Sequence, residues 1–457
     1  MNQPSPERGA WGSRFGFVLA AAGSAIGLGN IWRFPYVTGQ NGGAAFVVLY
    51  IAFVILIGAP VMVAELTLGR AARLNPVGAF KAVAPKGLWH LVGLLGVLTG
   101  IGILSYYSVI AVWTFGYFVK TLSGSFSTKM TSEESVQIFQ NFVANPSTAI
   151  TYLFVFILLT AAVVMGGVSS GIERWVKILM PLLLVLLLVL TLRSITLEGA
   201  SKGLSFYLNP DFSKITGGTI AMALGQALFS LSLGMGAMIT YGSYINKKDN
   251  LIISAGYVCL FDTLLAIMAG FLIFPALFAM GLDPAGGPGL VFVVLPTMFA
   301  KMPMGAFFGA GFFLLLTVAA LTSTISLLEV TVSYMVDEKK WRRKNAALFM
   351  AFIAFIIGIP SALSFGSVEW LTKLPGIGLG FLDFMNVLLG NYSLTIGALL
   401  ISIFVGFKWG ISAVQKEIEE HDNVFYFRKI WVFLIRFICP VAIFLIFVYI
   451  VVTKNYF

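Results

Sequence analysis

Histidine and cysteine are nearly missing from this chain, with two of each among 457 residues. Cys259 and Cys439 both lie inside apolar runs, which excludes a disulfide framework and a cysteine metal site. His90 and His421 stand alone near run ends, so a histidine metal centre is not expected. Charge is scarce as well: 11% of residues, against 59% hydrophobic, a balance no soluble globular domain has. The sequence offers no histidine cluster and no phosphate loop to support an enzyme. What remains is a polytopic membrane protein. Its N-terminus carries no short apolar stretch followed by a cleavage site, so the first apolar run is expected to stay as a span.

A net charge of +10 invites a nucleic-acid partner, but its distribution argues against one. Basic residues concentrate in alternate loops, as in Arg70, Arg73, Lys81 and Lys86, then Lys247 and Lys248, then Lys339 to Lys344. The loops between carry few, such as Lys129 or Lys301. This asymmetry places the N-terminus in the cytoplasm; the cell (inner) membrane is the expected location. The lipid bilayer is the expected partner; oligomeric state is not legible.

Apolar runs near spanning length predict eleven helices. They fall at about 13–38, 43–69, 89–122, 147–166 and 174–194, then 216–244, 251–281, 306–336, 345–362, 380–406 and 431–452. Segments 1–12, 195–215 and 407–430 flank and join them, and 431–457 ends outside. Between helices seven and eight, Asp283 to Gly289 and the apolar stretch to Pro303 read as an external hairpin lid.

Two of these helices are interrupted. Gly23-Ser24-Ala25-Ile26-Gly27-Leu28-Gly29 places three glycines in seven residues of helix one, followed by Asn30 and Arg33-Phe34-Pro35. In hydrocarbon, backbone groups freed by unwinding need other partners, so such a break points to a bound cation and a small solute. Helix six repeats the anomaly at Phe229-Ser230-Leu231-Ser232-Leu233-Gly234-Met235-Gly236. Counted from each break, 13–194 and 216–406 form two sets of five. An odd number per set makes the repeats inverted, and matching broken helices in two halves point to a transporter binding site.

At these residues the chain closely resembles the neurotransmitter:sodium symporters, the family with the leucine-transporter-like fold. Gly23 to Pro35 and Gly225 to Tyr244 match its unwound helices, as do Asn41-Gly42-Gly43, Glu65 to Arg70 and Ala320 to Ser323. The likeness runs from Trp11 through helix ten. It departs in having eleven helices rather than the usual twelve, a form common among bacterial members. The resemblance implies an all-α membrane protein with an inverted 5+5 repeat that imports substrate with sodium by alternating access.

Two sodium ions are implied. One site would use Ala25, Asn30, Ser230 and Asp262; the other Gly23, Ile26, Ala319, Thr322 and Ser323. Hard cations want several oxygens, and an unwound turn supplies carbonyls. Isolated hydroxyls such as Thr322 and Ser323 ordinarily bond back to helix carbonyls; their place beside the break favours the ion. Asp262 lies in an apolar run, where an acid costs about 2.5–3.5 kcal/mol on insertion scales and needs a partner. Many relatives carry Asn there. In chloride-dependent relatives a Tyr, a Gln and two hydroxyl residues hold the anion. Tyr50, Gln226 and Ser230 match, but the fourth position is Ala266. Asp262 is therefore expected to supply the charge, without chloride.

Monoamine members carry an Asp where this chain has Gly27, which favours a neutral amino acid that brings its own carboxylate. The substrate set implied is Ala25, Leu28, Gly29, Ile103, Tyr107, Phe229, Ser230, Ser232, Met235, Ser323 and Leu327. It offers no charged group, and the flexible Met235 leaves room for side chains from aliphatic to aromatic. Arg33 and Asp383 match the outer gate, above a lid of Tyr107 and Phe229. Arg8 and Trp11 match an N-terminal latch in residues 1–12, with Tyr241, Tyr244 and Asp337 as partners. Gly171 and Pro181 flank a stretch at the start of helix five that can unwind to admit water, or that merely ends a loop and kinks a helix. Glu65 and Glu329 are further acids within spans, with Glu329 expected to face an inner vestibule. An osmolyte or small-amine carrier, a receptor without transport, or a membrane enzyme are the other readings.

Overall fold

The computed structural model describes residues 9–124, 126, 130–282, 290–454 and 456. Arg8 and the lid segment Asp283 to Gly289 therefore lie outside the described residues. Among those described, nine continuous helices are long and apolar enough to cross a bilayer. A tenth crossing is the pair Arg14–Ala25 and Gly29–Gln40, bent by 49° at the expected break. The sixth expected span is split into Gly217–Ser230 and Ala237–Gly242, with residues 231–236 between them. Strands are absent from the described residues.

Burial sorts the spans. Helices three (His90–Leu122) and eight (Gly305–Lys339) are buried along most of their length and pack against each other at the centre. Helices five (Val168–Ile195) and eleven (Arg428–Thr453) are the least buried and present Leu, Val, Ile and Phe outward. In a bilayer, lipid is as apolar as leucine, so close backbone approach at small residues does much of the packing. Helix two (Ala44–Ala72) illustrates this against the second half of helix six. A Cβ at Gly69 would stand 2.0 Å from the Ile239 carbonyl, and one at Gly242 would stand 2.6 Å from that of Leu66.

Helix five begins at Val168 rather than near 174, because residues 168–173 form a wide π-type turn after Gly167. Short helices also occupy stretches read as loops, among them Ala200–Leu208 and Ile411–Ile418. The apolar stretch after the lid segment is helical at Leu290–Val294 and Leu295–Lys301.

Candidate functional site

The two breaks meet at the centre of the bundle, and their loosened backbone is bound by side chains from distant elements. In helix one, the Leu28 amide donates to Tyr107 Oη at 2.9 Å, and that of Gly27 to Asn30 Oδ1 at 3.1 Å. The Gly29 carbonyl accepts from Gln226 Nε2 at 2.8 Å. In helix six, Glu65 Oε1 takes the Gly234 amide at 2.7 Å. Ser232 adopts a left-handed conformation (φ 53°), which strains a non-glycine residue by about 1–2 kcal/mol. Its hydroxyl reaches across to the Ser24 carbonyl at 2.9 Å and helps hold that turn. Each break is thus tied to the other and to a rigid neighbour.

Asp262, fully buried on helix seven (Leu251–Ala279), gathers the first set of expected ion ligands. Asn30 Nδ2 donates to its Oδ1 at 2.8 Å, Ser230 Oγ to the carboxylate at 2.8 Å, and Tyr50 Oη at 3.0 Å. Every one of these donors is neutral, and no ion pair joins Asp262 to a basic side chain among the described residues. A buried carboxylate with only neutral donors still carries its charge uncompensated, which suits a monovalent cation.

The second expected ion site is neutral throughout. Thr322 Oγ1 donates to the Ala319 carbonyl at 3.0 Å, and Ser323 Oγ lies 3.3 Å from both the Ala319 and Ser24 carbonyls. These hydroxyls do bond back to helix carbonyls, as isolated ones would. Of these oxygens Ser323 Oγ reaches the turn after Gly23, through the Ser24 carbonyl, and each hydroxyl keeps a second lone pair.

Between the breaks lies a small cavity of about 30 Å³. Nine of the eleven expected substrate residues line it: Ala25, Gly29, Ile103, Tyr107, Phe229, Ser232, Met235, Ser323 and Leu327. Leu28 instead borders a larger outer cavity, and Ser230 belongs to the Asp262 cluster. Ser24 and Ser326, which the sequence reading missed, complete the wall and bond to each other at 2.7 Å. Ser326 lies one helical turn past Ser323, so its register on helix eight was the available signal. Gly27 also lines the cavity, where a Cβ would stand 2.4 Å from Ser323 Oγ and 2.7 Å from Tyr107 Oη, so any side chain there must displace those hydroxyls.

The outer cavity, about 210 Å³, shares Gly29, Tyr107 and Phe229 with the inner one, so these three residues form the partition. Arg33 and Asp383 both line it, but no ion pair joins them. Arg33 instead donates to Gln226 Oε1 at 2.5 Å and sits over the Phe229 ring at 4.9 Å. Phe292, just past the lid segment, lines the same cavity.

At the other end, Trp11 closes against helix six. Its Nε1 donates to the Tyr241 carbonyl at 3.1 Å, its amide to that of Tyr244 at 3.3 Å, and its ring meets Tyr241 edge-on. Asp337 accepts from the Asn75 amide at 2.7 Å. Glu329 does not face a vestibule. It is fully buried, bound through both oxygens by Arg343 and by Tyr244 Oη at 2.6 Å, since a buried carboxylate needs such partners.

The chain resembles known proteins along nearly its whole length. The profile described as "Sodium:neurotransmitter symporter family" matches residues 8–140 and 133–456. An uncharacterized sodium-dependent transporter of Bacillus subtilis is 40% identical, with 96% of each chain covered. One from Haemophilus influenzae is 37% identical, covering 98% of this chain and 99% of the relative. Among solved structures, MhsT in complex with L-phenylalanine superposes with a TM-score of 0.89 at 46% identity, covering 96% of this chain and 99% of MhsT. The chain belongs to the sodium:neurotransmitter symporter family and is a multi-pass, sodium-dependent symporter with the leucine-transporter-like fold.

Proposed function

We propose that this symporter imports neutral, hydrophobic L-amino acids, aliphatic to aromatic, with two sodium ions and without chloride. The observation that carries the reading is the inner cavity at the paired breaks, mostly apolar in its walls and without a carboxylate at Gly27. An amine substrate would find no carboxylate at that position, whereas an amino acid carries its own. That carboxylate would meet the amides near Leu28 and Gly29, the Tyr107 hydroxyl and the sodium beside Asn30. Its ammonium would take carbonyls of the two breaks and Ser323 Oγ. Because one sodium touches the substrate, each ligand raises the affinity of the other, which is the coupling symport requires. MhsT, solved with L-phenylalanine, supports aromatic side chains as cargo.

Asp262 is bonded by Tyr50 and Ser230, two residues that match chloride ligands of relatives, so its carboxylate would supply the negative charge in place of the anion. Ions at the second site would use the carbonyls of Gly23, Ile26 and Ala319 with Thr322 and Ser323. Arg33 and Asp383 would gate the outer cavity over Tyr107 and Phe229. Trp11 and Tyr244, with Arg8 and Asp337, would gate the inner side. Basic-loop asymmetry supports a cytoplasmic N-terminus, and eleven spans would then leave the C-terminus outside. The test is competition by a panel of amino acids for sodium-dependent leucine uptake into proteoliposomes. Neutral apolar amino acids should compete and monoamines should not; monoamine competition without amino-acid competition overturns the reading.

A further inference from the structure

Glu173 belongs to neither cavity and to neither ion site, yet it is buried at the start of helix five. It accepts from the Gly12 amide at 2.6 Å and from Ser13 Oγ at 2.9 Å. Lys177, partly exposed, supplies the countercharge at 2.6 Å. Ser13 is the N-cap of helix one and accepts the Gly16 amide at 3.0 Å, so the carboxylate grips the cap itself. The facing side of the N-terminal segment is bare. A Cβ at Gly12 would stand 3.2 Å from Ser169 Oγ, and one at Gly16 only 2.0 Å from Glu173 Oε1.

The contact continues toward the second ion site. A Cβ at Gly23 would stand 3.2 Å from Met180 Sδ and 3.4 Å from Val176 Cγ1. Positions 173, 176 and 180 fall on one face of helix five, and 16 and 23 on one face of helix one. The helix-five segment is also locally weak: a wide turn spans Val168–Glu173, and Pro181 lies inside the helix, where it removes a backbone donor.

We propose that Glu173 is a positioning residue that fastens the cap of helix one to the start of helix five, so that the two ends separate in a single step. While the carboxylate holds Gly12 and Ser13, the turn at Gly23 stays covered from the N-terminal side. When it lets go, helix five can loosen and that turn opens to water. This rests on the reading that Gly23, Thr322 and Ser323 hold sodium.

Amide hydrogen exchange of the full-length protein, in sodium and in potassium, reads both segments at once. Sodium should slow exchange over residues 9–20 and 168–181 together. Glu173→Ala removes the acceptor, and Gly16→Ala displaces it with a methyl group; each should raise exchange in both segments about tenfold in sodium. Gly16→Ala added to Glu173→Ala should change nothing further, because the clashing group is already gone. Glu173→Gln, which keeps an acceptor oxygen and removes the charge, should produce the same paired loosening at smaller amplitude if the other variants fold poorly. Loosening of residues 9–20 alone, with 168–181 still protected, overturns the proposal, as does full additivity in the double variant. Sodium-driven amino-acid uptake by the native chain is a separate readout: its absence refutes the transport reading, whereas the paired exchange tests Glu173 directly.

Discussion

The two candidate ion sites flank the same break in helix one but use opposite chemistry. Around Asp262 a full negative charge is surrounded by neutral donors from helices one, two and six. Around Thr322 and Ser323 only hydroxyls and carbonyls converge, and helix five backs the adjacent turn through Val176 and Met180. A cation at the first site cancels a charge the protein already holds; a cation at the second adds one to neutral surroundings. On this account the first ion completes the substrate site, and the second is the one the molecule gives up as helix five loosens.

Substitutions can break or sharpen that contrast. The largest effect should come from the wall of the inner cavity: Gly27→Asp abolishes amino-acid uptake without creating monoamine uptake, because the Ser323 and Tyr107 hydroxyls occupy the space. Radiolabelled leucine and monoamine uptake by the same vesicles checks both halves. Next, Asp262→Asn should raise the sodium concentration for half-maximal uptake about 10- to 100-fold, the worth of one charge-assisted contact. Thr322→Ala, which removes a neutral ligand, should raise it only about 5- to 10-fold. A sodium titration of each variant ranks them; equal shifts would erase the distinction between a charged and a neutral site. The smallest effect is expected from Ser326→Ala, about twofold in leucine KM, because Ser326 forms only part of the cavity wall through a neutral hydrogen bond to Ser24.

Much of this arrangement was legible in the sequence, for a physical reason. Glycines and small polar residues inside an apolar run violate the rule that lipid-embedded backbone satisfies itself, so the breaks at 23–29 and 229–236 stood out. Nine of the expected substrate residues line one cavity because the breaks fix where helices three, six and eight meet them. What escaped was long-range or disguised. That Glu65 caps Gly234 depends on two residues 169 positions apart. Ser24 and Ser326 look like ordinary small helix residues. Arg343 as the partner of Glu329 required knowing that the start of helix nine folds back on helix eight. The early start of helix five was hidden because Gly171 resembled a loop ending, whereas it lies within a helical turn whose backbone closely approaches Gly166.

The most direct test of the Asp262 account is sodium-gradient-driven leucine uptake with gluconate as the sole anion, comparing the native chain with Asp262→Asn. The account predicts full uptake by the native chain in gluconate and a large loss in the variant at the same sodium concentration. Collapse of native uptake when chloride is withdrawn, or a variant that still transports with unchanged sodium dependence, would contradict it.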